Sequence, residues 1–438
     1  MLKSPQSRTH WSLPLPYDLF HLIIFSYLDD CPQAIYNLSM SCAGLAELCR
    51  PLKFRDITVP LGQVPHAKQR MRKLFSLLDR AGDISHYVRC LHITDDYWDC
   101  ESGFFKEPPD VNDSERLSYF FGRDFRNMER LTLSLHAENQ TWSRLPRELV
   151  CRLQHLLAHP TLHTVVISDK TPIPGDYLRL MKNIPLLQLD GDVTFPPTGS
   201  ACRHLVDSST NSSRCTPHKL LFKDRSREGT NISSLLPHPH SPFNLSRLTK
   251  LEISARGPPI AILNDVLDSC SSTLEELTVY VATQGGLPSP FHPKNLRSLK
   301  ALTLSVDVEM MPLGDMIPRE AWLRFNWFVS ALQTCRAVAG QLESIGLVLR
   351  IRFFTIAKKL DWEALDETLT SFAPTCVVPW PSLRIFEILA METENPEVSS
   401  GVWNCLLAPL LPGLYGRKVV KVRASPEFTS ENTAFWRM

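Results

Sequence analysis

The sequence predicts an α/β chain in which a short N-terminal helical module precedes parallel strands alternating with helices. Three observations predict it. Residues 15–59 carry three short, strongly apolar helical patterns. From residue 60 onward one pattern recurs: an apolar residue, two intervening positions, then an apolar-x-apolar strand. Amphipathic segments of helical period lie between those strands.

The helices come first. Pro16 suits a first helical turn, where its missing N–H is not needed. Asp18 lies in the same turn, at the positive end of the helix dipole. Leu19, Ile23 and Tyr27 form one helical row, and Phe20, Ile24 and Leu28 the next. Leu22 and Phe25 widen the apolar surface, so this helix needs cover on nearly every side. Asp29, Asp30 and Pro32 end it and start a second helix through Ala34, Ile35, Leu38 and Ser39. A third is expected from Ala43 to about Arg50, with Leu45, Leu48 and Cys49 inward. A module of this size, assigned to residues 13–58, buries little of its own surface. Its leftover apolar face must meet the rest of the chain or a partner.

The strand pattern appears at Val88-x-x-Leu91-x-Ile93, Met128-x-x-Leu131-x-Leu133, Leu162-x-x-Val165-x-Ile167 and Ile184-x-x-Leu187-x-Leu189. It returns at Leu248-x-x-Leu251-x-Ile253, Leu274-x-x-Leu277-x-Val279, Leu299-x-x-Leu302-x-Leu304, Leu342-x-x-Ile345-x-Leu347 and Leu383-x-x-Phe386-x-Ile388. Val420 and Val422 mark a closing strand. Helices are expected over residues 68–80, 146–158, 260–269, 322–335 and 362–372. The steps Leu251 to Leu277 and Leu277 to Leu302 are 26 and 25 residues, within the roughly 20–29 of leucine-rich repeats. The steps Leu91 to Leu131 and Leu302 to Ile345 are 40 and 43, and no Asn ladder follows the strands. The chain therefore resembles an irregular leucine-rich-repeat-like solenoid; an ordinary α/β domain with a parallel sheet fits the same pattern. The repeat region is assigned to residues 59–195 and 247–438. Residues 196–246 lack a sustained period and are expected to be a disordered insertion, with a short ordered piece at residues 219–223.

The N-terminal stretch also resembles an F-box. Leu15, Pro16, Asp18, Leu19, Phe20, Ile23, Ile24 and Leu28 stand where that motif has its Leu-Pro opening, its acidic and apolar pairs and its closing Leu. Met40 and Cys42 match the later apolar-x-Cys part, while Ala43 replaces a basic residue and Leu45 a Trp. The layout is most similar to the large fungal F-box families. The resemblance implies that Leu15, Pro16, Leu19, Phe20, Ile23, Ile24, Leu28, Met40, Cys42 and Leu45 bind a Skp-type adaptor. Through that adaptor they would join a cullin of a ubiquitin ligase. A second reading is a non-catalytic scaffold whose helices only cap the solenoid, since a solenoid end needs a cover.

If the solenoid reading holds, residues alternating with the inward ones face its concave side. These are Glu252, Ser254, Thr278, Tyr280, Thr303, Ser305, Asp307, Val348, Arg350 and Arg352. They are the expected contacts for an unknown target protein, with a basic end at Arg350 and Arg352.

Composition narrows the classes. Forty-seven basic residues against 46 acidic give a net charge of +1, which argues against a nucleic-acid surface built on bulk charge. The 12 cysteines include no C-x-x-C pair and read as free thiols in a reducing, intracellular compartment, cytoplasmic or nuclear. Pro409 and Pro412 interrupt the uncharged run over residues 398–416, so no membrane span is expected. No phosphate-binding Gly loop, nucleophile elbow or H-E-x-x-H is present. Cys151, His155, His159 and His163 are spaced by four, which suits zinc on one helix. Pro160 stops that helix, so solvated or capping histidines are the preferred reading. The acidic group Asp95, Asp96, Asp99 and Glu101 lacks the periodic ligands and Gly of a calcium loop. The expectation is an adaptor subunit with no catalysis, cofactor or metal of its own.

Overall fold

A computed structural model of the 438-residue chain describes residues 17–28, 31–61, 65–81, 84–94, 111–134, 147–168, 173, 175–190, 214–224, 241–255, 260–281, 295–308, 319–351, 357–371, 380–392 and 400–424. Twelve strands pair in parallel and in chain order, with helices between them. The chain divides into two compact units, residues 1–165 and 166–438.

The first unit opens with α1 (Tyr17–Tyr27), α2 (Pro32–Ser41) and α3 (Ala43–Lys53). These helices have a core of their own, made by Ile24, Ile35, Leu45, Leu48 and Cys49. Phe20, Phe25, Leu28, Leu38 and Leu52 pack around it. Cys42 caps α3, its Sγ accepting the Leu45 N–H at 3.5 Å. There follow β1 (Asp56–Pro60), α4 (Pro65–Ala81), β2 (Cys90–Thr94), α5 (Val111–Phe121), β3 (Arg130–Ser134), α6 (Arg147–Leu157) and β4 (Thr164–Ser168). Because β1 begins at Asp56 and pairs with β2, the last residues of the stretch assigned to the helical module belong to the sheet.

The second unit holds α7 (Gly175–Leu178), β5 (Leu186–Asp190), β6 (Lys219–Asp224), β7 (Lys250–Ala255), α8 (Ile260–Ser269), β8 (Glu276–Val281) and β9 (Ala301–Val308). It continues with α9 (Arg319–Thr334), β10 (Ser344–Ile351), α10 (Trp362–Thr370), β11 (Ile385–Glu392), α11 (Ser400–Leu407), α12 (Pro412–Gly416) and β12 (Val420–Ala424). Strand β6 falls on the short ordered piece expected at residues 219–223 and is a full member of the sheet, paired with both β5 and β7; most of the expected insertion over residues 196–246 lies outside the described residues. The register Leu187↔Leu220↔Leu251 places Leu220 33 residues after Leu187 and 31 before Leu251. The repeat is concealed in sequence because Pro217, itself buried, stands where the leading aliphatic residue would be.

The pattern L-x-x-L-x-L acquires its physical meaning at the start of each strand. The two intervening residues both donate their N–H groups to one carbonyl, that of the first intervening residue of the preceding repeat. Arg55 O accepts from Arg89 and Cys90, Arg89 O from Glu129 and Arg130, and Glu129 O from His163 and Thr164, all at 2.8–2.9 Å. In the second unit His218 O accepts from Thr249 and Lys250, and Thr249 O from Glu275 and Glu276. Glu275 O accepts from Lys300 and Ala301, Lys300 O from Glu343 and Ser344, and Glu343 O from Arg384 and Ile385. Pro185 has no N–H to give to the preceding repeat, and in the repeat after it the two donors use separate carbonyls: His218 N–H goes to Ile184 O and Lys219 N–H to Pro185 O. A side-chain stitch runs beside it. Asn127, Thr161, Thr273, Ser298 and Ser382 each precede a repeat's first apolar residue and donate to a carbonyl of the preceding repeat, at 2.6–2.9 Å.

These bonds align the strands without slip, so the apolar positions form continuous columns. Leu251, Leu277, Leu302, Ile345 and Phe386 are in register, and Ile253, Val279, Leu304, Leu347 and Ile388 form the second column. All ten are buried. The helices cover them with Leu263, Val266 and Leu267 from α8, Phe325, Phe328 and Leu332 from α9, and Trp362, Leu365 and Leu369 from α10. Among the described residues no helix is long and apolar enough to cross a membrane.

One buried carboxylate ties the last helices together. Asp366 on α10 accepts the N–H groups of Gly413 and Leu414, both at 2.9 Å, at the start of α12. A Cβ at Gly413 would lie 2.8 Å from Asp366 Oδ2 and from Thr370 Cγ2, so the close approach requires glycine. Charge-assisted bonds to backbone amides contribute about 1.5–3 kcal/mol each. Asp366→Ala is therefore expected to cost about 3 kcal/mol, since it also leaves the buried Leu414 N–H unpaired, and Asp366→Asn about half as much. Urea unfolding followed by far-ultraviolet circular dichroism measures both.

Candidate functional site

Two surfaces stand out, one in each unit. The first lies on α1 and α2. The two rows of α1 have separate fates. Phe20, Ile24 and Leu28 turn into the module's core, Ile24 completely. Leu19 and Ile23 remain 44% and 38% exposed, with Leu22 beside them at 54%. On α2, Tyr36 is 50% and Met40 68% exposed, one turn apart. Lys53 sits 5.4 Å from the centre of the Tyr36 ring and shields part of it. Five large apolar side chains thus stand in water on two short helices.

The expected adaptor-binding set divides accordingly. Leu19, Ile23 and Met40 are exposed; Cys42 is exposed and also serves as the cap of α3. Ile24 and Leu45 are buried, and Phe20 and Leu28 are partly so. These four build the module rather than its surface, because three helices of this length need every inward position to close one small core. Leu15 and Pro16 lie outside the described residues. Leu22 and Tyr36 join the exposed group; the helical spacing of Leu22 from Leu19 and of Tyr36 from Met40 is the signal for both.

The second surface is the sheet face opposite the core in residues 166–438. Register places Asp190, Lys223, Ser254, Tyr280, Ser305 and Val348 in one row. Leu221, Glu252, Thr278, Thr303 and Gly346 form the row before it. Glu252, Ser254, Thr278, Tyr280, Thr303 and Arg350 are half-buried. Ser305 and Val348, expected to be open, are only 2% and 4% exposed. Ser305 is a small side chain between Tyr280 and Val348 on the two neighbouring strands, and larger neighbours about 4.8 Å away on either side shield it. Val348 lies in turn between Ser305 and Leu389. The side chain of Asp307, and Arg352 altogether, lie outside the described residues.

This face is charged as well as buried. Lys223, with its side chain 3% exposed, is 3.6 Å from Asp190. Lys250 pairs with Glu276 at 3.0 Å. Burial pushes the Glu252 carboxyl above the usual carboxylate range, with Lys250 and Lys223 offsetting only part of it. Burial, then the charge of Glu252, raises the Tyr280 phenol. Asp190 and Lys223 lie on this candidate face, and the sequence pattern passed over both. Each follows the last apolar residue of its strand, and alternation would place both on this face once β6 is read as a strand.

Other groupings hold no comparable chemistry. On the first unit's sheet, Asp56 and Cys90 are in register, and His92 lies two residues further on β2. Burial and then a hydrogen bond to Asp56 push the Cys90 thiol up to about 12, so it carries no thiolate at neutral pH. Burial lowers His92, with Arg130 adding to the effect. Of the four residues with zinc-like spacing, His155 and His163 are exposed, Cys151 is half-buried, and His159 bonds Thr161 Oγ1 at 2.9 Å. Among the described residues no three His, Cys, Asp or Glu side chains are grouped to hold a metal. Asp95, Asp96, Asp99 and Glu101 lie outside the described residues.

Neither the family models nor the curated proteins compared with the chain give a match, so the residues themselves carry the functional argument. The raised Glu252 carboxyl yields a direct expectation. The folded chain binds that proton more tightly than the unfolded chain, so this group's contribution is fully present below about pH 4.3 and is lost as pH rises through the raised value. Glu252→Gln removes the penalty. Its melting temperature should exceed that of the parent chain at pH 7, and the gap should close as pH falls toward 4.

Proposed function

We propose that the chain is the substrate-recognition subunit of a cullin–RING ubiquitin ligase, with α1 and α2 docking a Skp-type adaptor and the repeat sheet holding a target protein. The observation that carries this reading is the exposure of Leu19, Leu22 and Ile23 on α1 together with Tyr36 and Met40 on α2. The F-box resemblance, which takes in Leu19, Ile23 and Met40 of these five, agrees with it. Burying a half-exposed large apolar side chain on a partner contributes on the order of 1–2 kcal/mol each, and the group offers five such residues. Catalysis would then belong to an enzyme recruited through the cullin, and this chain would bind, orient and release.

The separate core of α1, α2 and α3 favours docking over a capping role. A cap contributes its apolar face to the solenoid it covers, whereas here Ile24, Ile35, Leu45, Leu48 and Cys49 bury one another. On this reading a chain lacking residues 1–53, cut before β1, keeps its sheet and cooperative melting but loses the adaptor. A cap's removal would melt the sheet.

The test is a binding titration of the full chain with a Skp-type adaptor. Leu19→Asp with Ile23→Asp should weaken binding by roughly a hundredfold or more, because two apolar contacts are lost and two carboxylates meet an apolar surface. Both side chains already stand partly in water, so the variant should keep the parent's circular dichroism spectrum and melting temperature within a few degrees. Adaptor binding unchanged in the double variant, or absent from the well-folded parent chain, overturns the docking role.

A further inference from the structure

The second sheet face holds a charge arrangement with one carboxylate left over. Glu252 stands on β7 with two lysines near it: Lys250, two residues earlier on the same strand, and Lys223, diagonally across on β6. Each lysine has another carboxylate. Lys223 Nζ lies 3.6 Å from Asp190, with both side chains largely withdrawn from water, and Lys250 Nζ lies 3.0 Å from Glu276. Among the described residues no cation is within ion-pairing distance of Glu252. Among the described residues, the carboxylate without an ion pair is that of Glu252, on a half-buried side chain.

Its flanks are suited to a long cationic side chain. Thr278 is directly opposite Glu252 in register on β8, and Tyr280 is one step further along the same strand on the same face. An aromatic ring beside a carboxylate attracts a cation both through the ring's negative face and through charge. A hydroxyl from Thr278 adds an acceptor. Phosphate and other anions are excluded by the uncompensated carboxylate. A divalent metal would need further ligands, and no three candidate ligands are grouped among the described residues.

We infer that Glu252, flanked by Thr278 and Tyr280, receives a lysine or arginine side chain of the target protein. This rests on the proposed role of the face in target binding and names what the face selects. An incoming ammonium or guanidinium gives the half-buried carboxylate the partner that Lys223 and Lys250 do not supply, and the aliphatic part of the ligand covers apolar surface beside Leu221.

The experiment pans a random peptide display library against the full chain and measures the selected peptides on three proteins: parent, Glu252→Gln and Thr278→Trp. Glu252→Gln keeps the shape of the site and is expected to melt no lower than the parent at pH 7, so loss of binding would not reflect unfolding. The expected result is a pool enriched in Lys or Arg at one position, bound about tenfold or more weakly by Glu252→Gln and blocked by Thr278→Trp. Peptides that Thr278→Trp blocks but that carry no basic preference, or that bind Glu252→Gln equally, overturn this inference and leave the face as a target-binding surface. A pool insensitive to Thr278→Trp overturns the target-binding reading of the face, and this inference with it.

Discussion

The structure depends on one bond arrangement: two successive N–H groups sharing a single carbonyl of the preceding repeat. It sits at the start of a strand, before any side chain has met its neighbour, and it recurs eight times. A shift of one residue would break both bonds and turn every alternate side chain to the wrong face. Register is thereby set at one end of each of these eight strands, and the apolar columns follow from it. The side chains of Asn127, Thr161, Thr273, Ser298 and Ser382 add a second tie at the same level.

Because register is set at the strand start, the length of the connection between strands matters little. The step from Leu277 to Leu302 is 25 residues and that from Leu302 to Ile345 is 43, yet both pairs lie side by side. The longer step accommodates α9, whose Phe325 and Phe328 fill space against the same columns. Loop-closure entropy grows only slowly with length, so extra residues in a connection cost little once both ends are held. This is why steps of very different length can coexist in one sheet, and why irregular spacing is a poor argument against a repeated architecture.

The repeat was legible wherever aliphatic residues fill all three positions, as at Leu274, Leu277 and Val279 or Leu342, Ile345 and Leu347. It was not legible at β6, where Pro217 leads and residues without period surround the strand. Helix α5 escaped for a related reason: Leu117, Phe120 and Phe121 cluster at its end, after a polar start that carries no helical stripe. The N-terminal helices could be placed from their rows of apolar residues, but which row would remain in water could not. Leu19 with Ile23 and Ile24 with Leu28 are equally apolar neighbours on one helix. Only the positions of Ile35, Leu45 and Leu48 in space decide that Ile24 is covered and Ile23 is not. The same limit applies to the sheet face. Alternation identifies Ser305 and Thr303 as equivalent, and the size of the flanking side chains makes one buried and the other half-exposed.

Two carboxylates in the second unit differ in what the fold gives them. Asp366 is nearly as buried as an aliphatic core residue and has two backbone N–H groups at 2.9 Å, so its charge is solvated by the protein itself. It reaches across from one helix to the start of another and ties α10 to α12. Glu252 is desolvated by its neighbours without receiving a hydrogen bond or ion pair among the described residues, and its carboxyl is raised in consequence. A fold selected for stability alone would place Gln or Thr at that position, since Thr278 and Thr303 occupy the same row at no electrostatic cost. On the proposed reading, the free energy withheld from folding at Glu252 would be available to a ligand that brings a positive charge. An interaction left incomplete in the folded chain gains selectivity from that incompleteness, because a neutral side chain entering the same site would leave the carboxylate unpaired and more deeply buried.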